Sequence, residues 1–256
     1  MPLKALLFDV DGTLAETEEL HRICFEEAFA NAGHDWEWPR DIYRDLLKIT
    51  GGKERILHYL DRMSLDIGAD AATRVAALHA EKNRLYALRT KFGVALRPGV
   101  RRLITEARGR GVAVAIATTT SRSNLDALLA AAFGRAGAAW FSAIVTGEDV
   151  SRKKPDPSAY LQVLGLLGLA PSECVAFEDS LNGLVAAKTA GLPVVLTPSI
   201  YTEHENFTGA DCVVSDLGEP GRPLRHIAGW RPKADLIDVP ALQALLVART
   251  GERARQ

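Results

Sequence analysis

The first stretch of the sequence able to do chemistry is Asp9-Val10-Asp11-Gly12-Thr13-Leu14, directly after an apolar run. In an extended chain, side chains two residues apart share a face. Asp9 and Asp11 are therefore expected to point together into the crevice beyond a strand's carboxyl end, where open α/β sheets bind ligands. Gly12 permits a tight turn there. Two carboxylates held close repel unless a cation or a proton lies between them. The bland alternative is a polar turn closing a strand, D-G being a common turn dipeptide. Glu178-Asp179-Ser180 follows a second apolar run and brings another pair of acids. Asp179 with Asp9 makes a hard oxygen site suited to Mg²⁺, which takes one or two protein carboxylates and keeps several waters. Asp179 or Ser180 equally suits the N-cap of a helix starting at Leu181, and the two readings are compatible.

Two further motifs suit an anion. Thr118-Thr119-Thr120-Ser121 follows another apolar run, and hydroxyls with backbone N–H groups at a helix start bind phosphate oxygens. Capping alone needs only one of these four residues. Lys153-Lys154-Pro155-Asp156-Pro157 reads by itself as a solvated charge pair before a helix, with proline in its first turn. Beside the other three motifs, a lysine here can neutralise phosphoryl oxygens. Lys154, held by the following proline, is the better candidate, with solvent the alternative for Lys153.

The elements that must position these residues alternate. Strands are expected at residues 5–10, 112–117, 143–146, 175–177 and 194–196, with a short sixth at 212–214. Their continuous apolar character suits a parallel sheet covered on both faces. Helices are expected from Val100 to the glycines at 109 and 111, from Leu125 onward, and over residues 181–190. This alternation argues for a Rossmann-like, doubly wound parallel α/β core. Residues 17–90 break it. They carry helical stripes (Leu20, Ile23, Cys24, Ala28; Ile56, Leu57, Leu60, Met63; Val75, Leu78, Leu85, Leu88) and no strand, as expected of an inserted bundle returning through residues 91–99. The expected division is a core of residues 1–16 plus 92–256 and a helical cap of 17–91. The tail after Gly218 suggests loop, then a short helix over 240–248.

The chain has 256 residues, 47% hydrophobic and 25% charged, the usage of a soluble globular protein with a sizeable core. Its formal charge of −1 gives no general electrostatic footprint for nucleic acid or an anionic membrane. Cys24, Cys174 and Cys212 fit no zinc or redox spacing. A reduced cytoplasmic compartment is the plain expectation, without signal peptide or membrane helix.

Taken in order, DVDGTL, TTTS, KKPDP and FEDSLNGL resemble the haloacid-dehalogenase superfamily of phosphohydrolases over residues 3–217, and the helical insert resembles its cap. A narrower likeness, to CbbY-type proteins, rests on Ala15-Glu16-Thr17-Glu18-Glu19-Leu20-His21, Thr50-Gly51-Gly52-Lys53-Glu54-Arg55, the TTTS run with Asn124, and residues 178–184. The activity it implies is removal of one phosphate from xylulose 1,5-bisphosphate, an inhibitor of the Calvin-cycle enzyme Rubisco, to leave xylulose 5-phosphate. The resemblance also implies roles. Asp9 would be the nucleophile and pass through an aspartyl-phosphate. Asp11 would protonate the leaving oxygen and then activate water, for which it must be held neutral near pH 7. Mg²⁺ would be bound by Asp9, the Asp11 carbonyl and Asp179, with Glu178 directly or through water. Thr118, Thr119 and Lys154 would hold the transferring group, with Thr120, Ser121 and Asn124 beside them. Gly51, Gly52, Lys53, Glu54 and Arg55 open a helix where backbone donors, dipole and two cations suit a second phosphate. Glu18 and His21 would face sugar hydroxyls, and His79 and Lys82 lie near a His-x-x-Lys contact of the family. Arg122 is open as a further phosphate contact. The expected partner is a small sugar phosphate or bisphosphate, met by a monomer. A β-phosphoglucomutase-like isomerase is the rival reading. A non-catalytic sugar-phosphate sensor is the reading of a different class, although no core acid is missing.

Overall fold

Alternate residues of the central strand separate the molecule into two apolar layers. In β1 (Ala5–Phe8), Leu6 and Phe8 face one layer and Ala5 and Leu7 the other. The computed structural model describes residues 2–253 and pairs β1 in parallel with β2 (Ala113–Ala117) and β4 (Cys174–Glu178). Adding β3 (Ala143–Val145), β5 (Val194–Leu196), β6 (Cys212–Val214) and β7 (His226–Gly229), the sheet runs β3-β2-β1-β4-β5-β6-β7. The first six strands are parallel and β7 is antiparallel to β6. β1–β6 are buried almost throughout, which explains their lack of polar alternation.

Helices cover both faces. α5 (Val100–Gly109), α6 (Arg122–Phe133) and α9 (Val239–Arg253) pack Leu103, Ile104, Leu125, Leu128 and Leu242 against Leu6, Phe8, Val114 and Phe177. α7 (Ser158–Leu167) and α8 (Leu181–Thr189) pack Tyr160, Val163, Ala186 and Ala187 against Ala5, Leu7, Ala115 and Ala176. At about 1.5–3 kcal/mol for each large apolar side chain buried, these two layers supply most of the drive for folding. The fold is thus the expected α/β class, a mostly parallel sheet wound on both sides.

Of the five helices between β1 and β2, the four before α5 form the insert: α1 (Glu18–Asn31), α2 (Arg40–Leu46), α3 (Gly52–Arg62) and α4 (Ala71–Thr90). They enclose their own apolar cluster, rich in rings: Phe25, Phe29, Trp36, Trp38, Tyr43 and Tyr59. Tyr201, from the loop after β5, joins that cluster. The linkers lie side by side, with Asp11 bridged to Ala15 and Ala15 to Leu96.

Several expectations need correction. β1 ends at Phe8, so Asp9 and Asp11 lie in the loop beyond it and strand periodicity does not orient them. Leu57, Met63 and Leu88 are exposed. The buried face of α3 includes Tyr59, and that of α4 includes Tyr86 and Thr90, so each seam is offset from the aliphatic stripe. α6 begins at Arg122 rather than near Leu125. The tail adds an edge strand, β7, and a helix longer than expected. None of the helices among the described residues is long and apolar enough to cross a membrane.

Candidate active site

Parallel strands end on the same edge of the sheet, so the loops after β1, β2, β4 and β5 meet there. The Asp9 amide continues the ladder by donating to the Phe177 carbonyl at 3.0 Å. The chain then turns at Gly12, where φ is +81°. A Cβ on Gly12 would lie 2.2 Å from Asp179 Oδ2, so conformation and space both demand glycine. Arg97, in the returning linker, ties this turn down. Its guanidinium donates to the carbonyls of Gly12, Thr197 (2.7 Å), Pro198 (2.8 Å) and Ser215 (3.0 Å), and pairs with Glu16.

At the centre lies a buried lysine between two acids. Lys154 Nζ donates to Asp9 Oδ1 and to Glu178 Oε1, both at 2.6 Å. Tyr160 donates its hydroxyl to the same Glu178 oxygen at 2.5 Å. Burial alone would lower the lysine's pKa, but the two carboxylates raise it above the usual value. Asp9 is pushed up to about 8, chiefly by burial, with the Glu178 charge adding to the shift and Lys154 opposing it. Asp179 is raised well above the ordinary carboxylate range by burial and by the charges of Asp9 and Glu178.

Asp9, Glu178 and Asp179 each offer an oxygen within 4.8 Å of the others. Glu178 Oε2 is buried without a hydrogen-bond partner. Three hard carboxylates, one with an orphaned oxygen and another disfavoured as an anion, fit a divalent cation such as Mg²⁺. Glu178 is not dedicated to that cluster, since its other oxygen holds Lys154 and Tyr160.

Asp11 turns the other way, toward the helices. Its Oδ1 accepts from the Thr17 hydroxyl at 2.5 Å and meets His21 Nε2 at 2.9 Å. Lys82 Nζ lies 2.7 Å from His21 Nδ1. An ammonium has no lone pair, so Lys82 in its charged form donates to Nδ1 and His21 carries its proton on Nε2, facing Asp11. Burial works to raise the Asp11 pKa, but His21, Thr17 and Lys82 together hold it below the ordinary value. The expectation of a neutral Asp11 is therefore overturned: three neighbours stabilise the anion.

Two cavities lie between the sheet tips and the helices, with Asp11, Glu18, Arg55 and Thr119 in the lining of both. One of about 80 Å³ touches Asp9, Lys154 and Asp179. The other, about 400 Å³, is walled by His21, Gly51, Gly52, Lys53, Glu54, His79, Lys82, Thr120, Ser121 and Asn124 as well. His79 is pushed down to about 3, first by burial and then by Lys82, Lys53 and Lys153.

The two cations of the GGKER loop differ. Arg55 is buried and donates to the Tyr43 hydroxyl (3.1 Å) and the carbonyls of Leu46 (3.2 Å) and Ile49 (3.4 Å). Tyr43 in turn donates to Glu18 at 2.8 Å. Lys53 is exposed at the cavity wall. Lys153 is not left to solvent: it lines the larger cavity and meets Glu54 at 2.5 Å. Arg122 pairs with Asp126 on the exposed flank of α6, away from both cavities. Thr118 is buried, and its hydroxyl accepts the Thr120 amide at 3.2 Å, whereas Thr119, Thr120 and Ser121 reach the wall.

Four residues escaped the sequence reading: Tyr43, Asn83, Arg97 and Tyr160. Asn83 donates to Ser121 Oγ at 3.2 Å and accepts from Asn124 at 2.9 Å, joining α4 to α6. No local pattern flags Tyr43 or Asn83, because their partners are distant in sequence. Arg97 stood in the linker and Tyr160 only three residues past the KKPDP run, and proximity to those segments was the available signal.

This arrangement, with acids on adjacent strand tips, a buried lysine and a helical insert after the first motif, is that of a known class. The chain belongs to the haloacid dehalogenase-like hydrolases, whose family model matches residues 3–191. Within that family it is similar to the protein CbbY of Rhodobacter capsulatus, with 50% identity over 218 residues, 85% of this chain and 95% of that protein. A CbbY mutant from Rhodobacter sphaeroides, solved with xylulose-(1,5)bisphosphate, superimposes with a TM-score of 0.78 at 48% identity, covering 84% of this chain and 94% of the other. CbbY from the same organism, solved with phosphate, has the same score and identity. The chain is a hydrolase of the phosphatase class.

Proposed function

We propose that this protein is a Mg²⁺-dependent phosphatase that removes one phosphate from a sugar bisphosphate, with xylulose 1,5-bisphosphate as substrate and xylulose 5-phosphate as product. The observation that carries the reading is this pair of cavities. The smaller cavity offers Asp9 and Lys154, and the larger one beside it offers Lys53 and the start of α3, so each suits one phosphate of a bisphosphate. The likeness to a CbbY solved with that bisphosphate supports it.

In this reading residues 17–91 act as the cap and the remainder as the catalytic core. Asp9 attacks phosphorus in line, and the P–O bond to the sugar breaks. Lys154 and the Thr119 backbone hold the phosphoryl oxygens, with Thr118 setting the turn beneath them. Asp9, the Asp11 carbonyl and Asp179, with Glu178 beside them, would hold Mg²⁺, which supplies charge neutralisation at the phosphoryl oxygens. Asp11 rests as the anion, the form that accepts a proton from the water that hydrolyses the aspartyl-phosphate. A phosphate dianion arriving beside it raises its proton affinity, since like charges held close favour the neutral acid. That supplies the protonated form needed by the departing sugar oxygen. Glu18 and His21 face the sugar; Lys53, with Gly51, Gly52 and Arg55, frames the second phosphate.

The test is a phosphate-release screen over pentulose and hexose mono- and bisphosphates, with and without Mg²⁺, products being resolved by chromatography. The expected result is free phosphate, only with Mg²⁺, and fastest from xylulose 1,5-bisphosphate. An isomerised monophosphate without free phosphate would make the protein a mutase. Asp9→Asn is expected to lower phosphate release by at least about 10³-fold with the fold intact by circular dichroism. Turnover near wild type would mean another nucleophile.

A further inference from the structure

A tyrosine in a helical core position usually has its hydroxyl at the wet edge, because a buried hydroxyl needs a partner. Tyr160 is fully buried within the layer between α7 and the sheet. Phenylalanine would fill that space with no polar group to satisfy. The hydroxyl instead reaches Glu178 Oε1, the oxygen that also accepts from Lys154. The ring lies under the same lysine, with Nζ 5.1 Å from its centroid. Tyr160 therefore touches the ammonium's surroundings twice, once through the carboxylate and once through its face.

We propose that Tyr160 is a positioning residue for Lys154, acting through Glu178. An ammonium has three donors. Two are engaged by Asp9 and Glu178, leaving the third for a phosphoryl oxygen. Lys154 can aim it only if Glu178 does not rotate. The backbone side of Glu178 is closed by α8: a Cβ on Gly183 would lie 1.9 Å from Oε2 and 2.1 Å from the carboxyl carbon, so the carboxylate sits directly on the glycine. That contact limits translation, yet it leaves the carboxylate plane free to turn about its Cγ–Cδ bond. The Tyr160 hydroxyl fixes that rotation by holding the oxygen shared with Lys154, and the ring lies against the ammonium on its other side. A cation over a buried ring is also attracted to its face.

The proposal rests on the reading of Lys154 as a phosphoryl-holding group, and the experiment separates the two. Tyr160→Phe keeps the ring and removes only the hydroxyl. With p-nitrophenyl phosphate and with xylulose 1,5-bisphosphate, kcat is expected to fall about 10- to 30-fold by the same factor on both, and KM to stay within about twofold. The melting temperature should fall by several degrees, as for one lost hydrogen bond to a carboxylate. Tyr160→Leu, which also removes the ring, should lose more. In a Glu178→Gln background, Tyr160→Phe should have little further effect. A direct readout uses metal-free protein with ¹⁵N-labelled lysine side chains. The protected Lys154 ammonium signal, assigned by its loss in Lys154→Met, should shift and exchange faster in Tyr160→Phe. Wild-type kcat in Tyr160→Phe, an unmoved ammonium signal, or equal losses with and without Glu178 would each overturn the proposal. Absence of phosphate release by the wild-type protein from both substrates would instead overturn the phosphatase reading while leaving the ammonium result standing.

Discussion

Lys154 and Lys82 are equally buried, each 4% exposed, yet their surroundings drive them in opposite directions. Lys154, at the strand tips, faces two carboxylates at 2.6 Å, and its pKa rises. Lys82, among the inserted helices, faces the His21 ring nitrogen at 2.7 Å and the rings of Phe25 and Tyr86 at 4.9 and 5.5 Å. Burial lowers it to about 8, with Asp11 and Glu18 opposing only in part. The sheet edge thus holds a charge that stays on, in direct contact with the carboxyl groups of Asp9 and Glu178. The helical side holds a charge short of a partner, which an anionic ligand would complete. The contrast extends to the elements. The core residues sit at strand tips fixed by parallel ladders, whereas those around Lys82 sit on helices that meet α6 through Asn83 and the loop after β5 through Tyr201.

The strongest way to break this comparison is to remove the core charge. Lys154→Met leaves Asp9 and Glu178 buried without their cation. Phosphate release should fall by about 10²–10³-fold, and metal-free protein should lose about 3–5 kcal/mol of stability in urea unfolding. A variant as stable as wild type in the absence of metal would show that the two acids are not held as anions there.

Lys82→Met should do the reverse to stability. The folded pKa of Lys82 is about 8 against 10.5 for the free side chain, so between those values the unfolded chain binds more protons. Stability then rises with pH across that window, and the penalty is fully present below about 8. Lys82→Met should be more stable than wild type at pH 7, by up to about 3 kcal/mol, and the gap should close as pH rises toward 10.5. Substrate KM should rise in the same variant. Parallel stability curves from pH 7 to 10.5 would mean that Lys82 titrates normally.

The smallest effect sharpens the comparison on the helical side. Arg55 is occupied by Tyr43 and two carbonyls, whereas Lys53 is exposed and has no ion-pair partner among the described residues. Lys53→Ala should raise KM for a bisphosphate roughly tenfold while barely affecting a monophosphate, since it removes one charge-assisted contact. Equal effects on both substrates would place the second phosphate elsewhere.

Much of the core was legible because its signals are local. An apolar run ending in DVDG, and another ending in EDS, mark strand tips without knowledge of partners. Thr119, Lys154 and Asp179 then follow from chain order on a parallel sheet. The helical side was less legible. His21 and Lys82 lie 61 residues apart and meet only after α1 packs on α4. Their contact overturned the expected neutral Asp11, because the sign of a pKa shift depends on neighbours that no spacing reveals. Leu57, Met63 and Leu88 misled for a related reason: helical periodicity gives an apolar stripe, but packing against facing helices decides which edge of it is buried.

By itself the sequence determined the class of fold, where every strand but β7 and the inserted helices lie along the chain, and which acids follow the strands. Those properties follow from periodicity and from residue type within a few positions. Only the tertiary structure decided that Glu178 serves Lys154 and Tyr160, that Arg55 is bound by Tyr43 while Lys53 is exposed, and that one buried lysine is a fixed charge and the other a titratable one. Charge state and hydrogen-bond partnership are set by distances of a few ångströms between segments far apart in the chain, and packing alone supplies those distances.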